Sequence, residues 1–148
     1  MDKKLKIRFG IPHHGWLPVH LKVNKFEFNI EASDVPVNPV NILIEALTRV
    51  IHELKSEVWW FLEPAGYYFS FEPLADGNVQ FTIEFAKGDG MDAKREQLFI
   101  LENEKMKDAL PFWRNIKEFK SHNYVEPHWP ETDAVAFQRL TQLIKSPK

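Results

Sequence analysis

Residues 58–85, VWWFLEPAGYYFSFEPLADGNVQFTIEF, decide the fold. Val58, Trp60 and Leu62 alternate with Trp59, Phe61 and Glu63. Tyr67, Phe69 and Phe71 then alternate with Tyr68, Ser70 and Glu72, and Val79, Phe81, Ile83 and Phe85 with Gln80, Thr82 and Glu84. A side-chain period of two assigns each set to one side of a strand. Pro64-Ala65-Gly66 turns the chain between the first two runs. Asp76-Gly77 between the second pair is a strong hairpin signal, because both residues tolerate the positive φ that tight hairpins need. The stretch therefore reads as three antiparallel strands with aromatic residues on both faces.

Upstream lies a helix. SDVPVNP, residues 33–39, breaks the strand pattern and supplies Asn38 as N-cap with Pro39 at the first helical position. Val40, Leu43, Ile44, Leu47, Val50, Ile51 and Leu54 follow at helical spacing, an apolar stripe made to lie on a sheet. Before it, Leu5, Ile7 and Phe9 alternate with Lys4, Lys6 and Arg8. After a Pro12–Gly15 bend come the rows Leu17, Val19, Leu21, Val23 and Phe26, Phe28, Ile30, separated by Asn24-Lys25. Downstream, KGDGMDAKRE at 87–96 reads as an exposed loop, and LFIL at 98–101 as a strand or the start of a helix, with the strand preferred. Helical patterns cover residues 105–120, which Pro111 is expected to interrupt, and residues 131–145. The expected fold is α+β: one domain over residues 1–148, an antiparallel sheet of six or seven strands in the order βββαββββ, one long helix packed on it, and two C-terminal helices.

Composition narrows the function. A chain of 148 residues with 44% hydrophobic and 14% aromatic residues can bury a core without metal or disulfide. The net charge of -2 comes from 19 basic and 21 acidic residues mixed along the chain. That leaves no cationic field for a phosphate backbone or an anionic membrane, so neither nucleic acid nor membrane is an expected partner. The absence of cysteine removes thiol catalysis and thiolate metal sites. MDKKLKIRFG lacks a following apolar segment and no run reaches transmembrane length, so a cytoplasmic protein is expected.

IPHHGWLPVH, residues 11–20, raises the question of a metal or proton-transfer site. On a strand, the adjacent His13 and His14 would point to opposite sides. The His14/His20 and His122/His128 pairs match no recognised ligand spacing, and His52-Glu53 lacks the second helical histidine because position 56 is Ser. No metal and no cofactor are expected. The serines sit in no nucleophile-elbow context, and Gly88-Asp89-Gly90 is no phosphate loop. Glu63 and Glu72 could form an acid/base pair across two strands, against the ordinary reading of solvated glutamates.

Strand parity places His14, Trp16, Pro18 and His20, together with Trp59, Phe61, Glu63, Tyr68, Ser70 and Glu72, on the face turned away from the long helix. So aromatic a face should be covered. The C-terminal helices could fold over it with Phe112, Trp113 and Leu140. Alternatively another protein, or a second copy, could dock on Trp16, Trp59 and Tyr68 as anchors. A third possibility is a small-molecule pocket with Glu63 and His20 as polar groups. The reading favoured here is non-catalytic protein binding or self-association through the aromatic face. The alternative is a small enzyme or ligand-binding protein using a rim of His14, His20, Glu63 and Glu72.

FGIPHHGWLPVHLKV at 9–23, the leucine-rich helix and VWWFLEPAGYYFSFEP at 58–73 together resemble small uncharacterised bacterial α+β proteins. Those carry Gly-Trp near the first turn and a strand ending in Glu-Pro-Gly before an aromatic strand. Gly15-Trp16 and Glu63-Pro64 match, while Ala65 before Gly66 departs by one insertion. Some proteins of this kind neutralise toxins in interbacterial competition, so the resemblance implies an immunity-like or accessory role.

Overall fold

The structure, a computed structural model, describes residues 4–88 and 94–146. Its elements in chain order are β1 (Leu5–Phe9), β2 (Trp16–Val23), β3 (Phe26–Ser33), α1 (Pro39–Ile51), β4 (Ser56–Phe61), β5 (Gly66–Pro73), β6 (Asn78–Ala86), β7 (Arg95–Glu104), α2 (Lys105–Ser121) and α3 (Ala134–Lys145). The α+β class and the strand succession follow the sequence pattern. The single sheet does not: β1-β2-β3 form one antiparallel sheet and β4-β5-β6-β7 another.

Aromatic contacts show how the sheets meet. Phe26 stacks on Phe99 of β7 with centroids 4.2 Å apart, and Phe28 touches Tyr67 and Phe69 of β5 at 4.9 and 5.8 Å. Ser33, at the far end of β3, donates a hydrogen bond to Glu63 just beyond β4. Successive residues of β3 thus meet β7, β5 and the end of β4 in turn. The strand crosses the second sheet face to face instead of extending it. Periodicity within a strand reports which side chains share a face, not which strand lies alongside, so one sheet and two crossed sheets give the same pattern.

The helices cover what the first sheet leaves of that inner face. Asn38 caps α1 by accepting from the Val40 amide, with Pro39 in the first turn, as the sequence pattern requires. The helix stops at Ile51, where Glu53 takes a φ of 60° and the Leu54 amide returns to the Arg49 carbonyl, so Leu54 leaves the apolar stripe and is exposed. α1 packs mainly on β4, α2 on β1, and α3 on α1. Phe112 of α2 reaches Phe69, Phe71 and Phe81 at 5.8–6.1 Å. Pro111 does not break α2, which runs continuously from a Glu104 cap. Residues 95 and 96, expected in a loop, open β7; residues 89–93 of that loop lie outside the described residues.

Leu43, Leu47, Phe28, Trp60, Phe69 and Phe81 all belong to one buried cluster. Leu47→Ala removes a fully buried side chain and should cost about 2–5 kcal/mol through lost transfer energy and the cavity left behind; chemical denaturation reads the loss directly.

Asp108 is the cluster's exception. It is fully buried in the first turn of α2, accepts one hydrogen bond from Asn103 at 3.1 Å, and leaves its other oxygen without a hydrogen-bond partner. Burial pushes its carboxyl from the ordinary 3.8 up to about 6, against the lowering effect of the Asn103 bond. The native state therefore holds this proton more tightly than the unfolded chain. The group favours folding fully below about pH 4, and that advantage is lost as pH rises through 6. Asp108→Asn should raise stability by about 1–3 kcal/mol at pH 7.5 and add nothing at pH 4, as urea titrations at the two pH values will show.

Candidate functional site

With every helix on the inner side, the outer face of β4–β7 is left without a covering element among the described residues. The strand registers arrange it in rows: Phe61, Gly66, Ala86 and Arg95; then Trp59, Tyr68, Glu84 and Gln97; then Glu57, Ser70, Thr82 and Ile100; and last Glu72, Gln80 and Glu102. The C-terminal helices do not fold over these residues. Phe112 and Leu140, expected to cover them, are buried in the core on the opposite side, and Trp113 donates from its indole to Thr141 of α3.

Trp59 and Phe61 form the apolar strip, half-buried, with their rings stacked at 6.0 Å. Gly66 is what lets Trp59 lie down. A Cβ at residue 66 would stand 2.6 Å from the Trp59 ring and 2.4 Å from the Trp60 carbonyl oxygen, so a larger residue would push the indole off the sheet.

Tyr68 is placed otherwise than an exposed anchor. Trp59 lies against it at 4.6 Å, and the Arg95 guanidinium sits 3.6 Å above its ring centre, leaving Tyr68 buried. Arg95 is held there by both oxygens of Glu57, at 2.8 and 3.1 Å, and by Glu84 at 3.2 Å. The paired Glu57 bonds raise the affinity of the guanidinium for its proton further, so its charge is permanent. Periodicity gave no signal for this arginine, which comes from a segment read as loop.

The remaining expected residues do not assemble into one rim. Trp16, Pro18 and His20 lie on the outer face of the first sheet, not beside Trp59, and His20 Nδ1 lies 2.8 Å from Asn29 Oδ1. The cleft that contains His20, about 410 Å³, is lined by Lys6, Arg8, Lys22, Glu27 and Asn29 and by no residue of the second sheet. Glu63 sits at the β4–β5 turn, whereas Glu72 lies near the far end of β5, about 20 Å away along the strand at ~3.3 Å per residue. Glu72 pairs with Lys55 at 3.5 Å. The two glutamates therefore cannot share a proton or a substrate.

His14 belongs to a different group altogether. It sits in the bend before β2, with φ 51°, followed by Gly15 with φ 84°. This left-handed turn folds its ring against that of His13, with centroids 4.2 Å apart, so the two do not point to opposite sides as strand geometry requires. The α2–α3 connector delivers His128 to the same place, 5.1 Å from His14 and 5.5 Å from His13. These three are the side chains that could hold a metal ion among the described residues. The sequence pattern pairs His13 with His14 and His128 with His122, and gives no sign that His128 joins the other two, because that contact spans 114 positions.

Comparison with family models, with curated proteins and with solved structures returns no match, so the functional reading rests on this geometry. Among the described residues no helix is long and apolar enough to cross a membrane.

Arg95→Ala should uncover Tyr68 at a cost to stability of no more than about 1 kcal/mol, because the ion pairs it loses are partly solvated. Hydroxyl-radical footprinting with peptide-level readout, comparing oxidation at Tyr68 in the variant and the wild type, checks the exposure.

Proposed function

We propose that this chain is a non-catalytic protein-binding protein of the bacterial cytoplasm, immunity-like or accessory in role, and that it binds through the outer face of β4–β7. The observation that carries the reading is the placement of Trp59 and Phe61 on a sheet face that all three helices leave uncovered. Large aromatic groups in such a position are the usual anchors of protein interfaces.

The charge around the strip specifies the partner's chemistry. The outward positions of β4–β7 carry Glu57, Glu72, Glu84 and Glu102, with Arg95 bound to Glu57 and Glu84 and Lys55, just before β4, paired with Glu72, so acidic groups still outnumber basic ones on this face. A basic protein surface presenting an apolar side chain complements this arrangement. Opposite charge brings the partner in quickly, and the aromatic strip holds it. The alternative of an enzyme or ligand site at a His/Glu rim has no assembled rim to support it.

The test begins by immobilising the protein, identifying what it retains from its source cell, and purifying that binder for direct titration. The expected binder is basic. Trp59→Ala and Phe61→Ala should each weaken it by about 30-fold or more while leaving the fold intact, and Glu72→Lys should slow association. Binding unchanged in both aromatic variants would overturn the proposal. Concentration-dependent self-association abolished by Trp59→Ala, seen in sedimentation, would reassign the face to a second copy.

A further inference from the structure

The bend before β2 and the α2–α3 connector bring imidazoles from opposite ends of the chain onto one spot, with His14 and His128 separated by 114 positions. Each of His13, His14 and His128 offers one ring nitrogen, and the three nitrogens lie within 4.8 Å of one another. Three imidazoles around one zinc-like ion, each bond about 2.0–2.1 Å, stand about 3.3 Å apart nitrogen to nitrogen. The rings therefore need to close by at most about 1.5 Å, and side-chain rotation of the exposed His13 and His14 can supply that without moving the backbone.

The backbone on both sides is already held. The His13 amide donates to the Trp16 carbonyl at 2.9 Å and the Trp16 amide returns to His13 at 3.1 Å. The Gly15 amide donates to the His128 carbonyl at 2.9 Å, tying bend to connector, and Trp129, fully buried beside it, anchors the connector in the core. Among the described residues, neither the His13 nor the His14 ring has a hydrogen-bond partner. The Nδ1 of His128 receives only the His14 amide, at 3.4 Å, longer than a well-formed hydrogen bond. The His13 and His14 rings are therefore open to a stronger acid, and His128 has only this long bond at Nδ1 to give up.

We propose that His13, His14 and His128 bind one late divalent transition-metal ion of the zinc, nickel or copper type. Neutral imidazole suits these ions, and the absence of hard oxygen ligands from the trio disfavours calcium and magnesium. Three protein ligands leave a fourth position for water on the exposed side, and the ion clips the first hairpin to the α2–α3 connector. This site is separate from the β4–β7 face and stands whether or not that face binds protein.

The experiment uses untagged protein stripped with a chelator and exchanged into metal-free buffer, then titrated calorimetrically with Zn²⁺. One ion per chain is expected, with a melting temperature that rises as Zn²⁺ is added. His13→Ala, His14→Ala and His128→Ala should each weaken binding by at least ~100-fold, since even groups that only support a ligand are worth 10–100-fold. His122→Ala, whose ring pairs with Glu118 elsewhere, should change nothing. Melting in the presence of chelator shows that each variant folds, and His128→Gln replaces His128→Ala if the latter does not, since either keeps the backbone carbonyl that Gly15 bonds. No saturable binding of Zn²⁺ by the wild-type chain would overturn the proposal, as would stoichiometric binding that survives both His13→Ala and the folded His128 variant.

Discussion

The fold turns on the direction taken by Trp60. Its ring is fully buried between Phe9 of β1 at 6.0 Å and Phe69 of β5 at 5.4 Å, and through Phe69 and Phe9 the contact continues to Phe81, Phe112 and Phe119. Edge-to-face contacts of this kind add to the area each ring removes from water. They tie both sheets and α2 into one cluster. With Trp60 inward, the pleat sends Trp59 outward, where only its sheet neighbours cover it. The two adjacent tryptophans thus divide the core from the candidate interface.

A second constraint follows from burying Trp129. The connector after α2 must dip to the core at that residue, and His128 is carried with it to the bend at Gly15. At Gly15 the φ of 84° excludes most side chains, and a Cβ would also stand 3.0 Å from Asp34. Core packing at Trp129 and a left-handed turn at Gly15 are separate requirements whose joint effect is to gather three histidines. The bend is a structural corner, and it is also where the chain assembles its one set of clustered imidazoles among the described residues.

Local pattern made the hairpins, the capped start of α1 and the inward row of each strand legible, because turn chemistry and side-chain period act over a few residues. Trp59 and Phe61 were legible on the same ground. What stayed hidden depends on contacts between distant segments. β3 crosses β7, β5 and β4 through Phe26, Phe28 and Ser33, and no period within β3 encodes that crossing. Tyr68 was placed on the correct face, yet its covering by Arg95 required a polar stretch to continue as β7. Pro111 was expected to interrupt α2 on local grounds, while burial of Ala109, Phe112, Trp113 and Ile116 on both sides of it keeps the helix in place. The histidine cluster failed for two reasons: the turn at His14 abolishes strand parity, and His128 arrives from the connector.

The claim that all helices share one side of the second sheet is tested most directly by hydroxyl-radical footprinting of the five tryptophans in the native monomer. The account predicts oxidation at Trp16 and Trp59, with Trp60, Trp113 and Trp129 protected until the chain unfolds. Protection of Trp59 equal to that of Trp60 in the free monomer would contradict it, since the outer face of β4–β7 would then be covered by the chain itself.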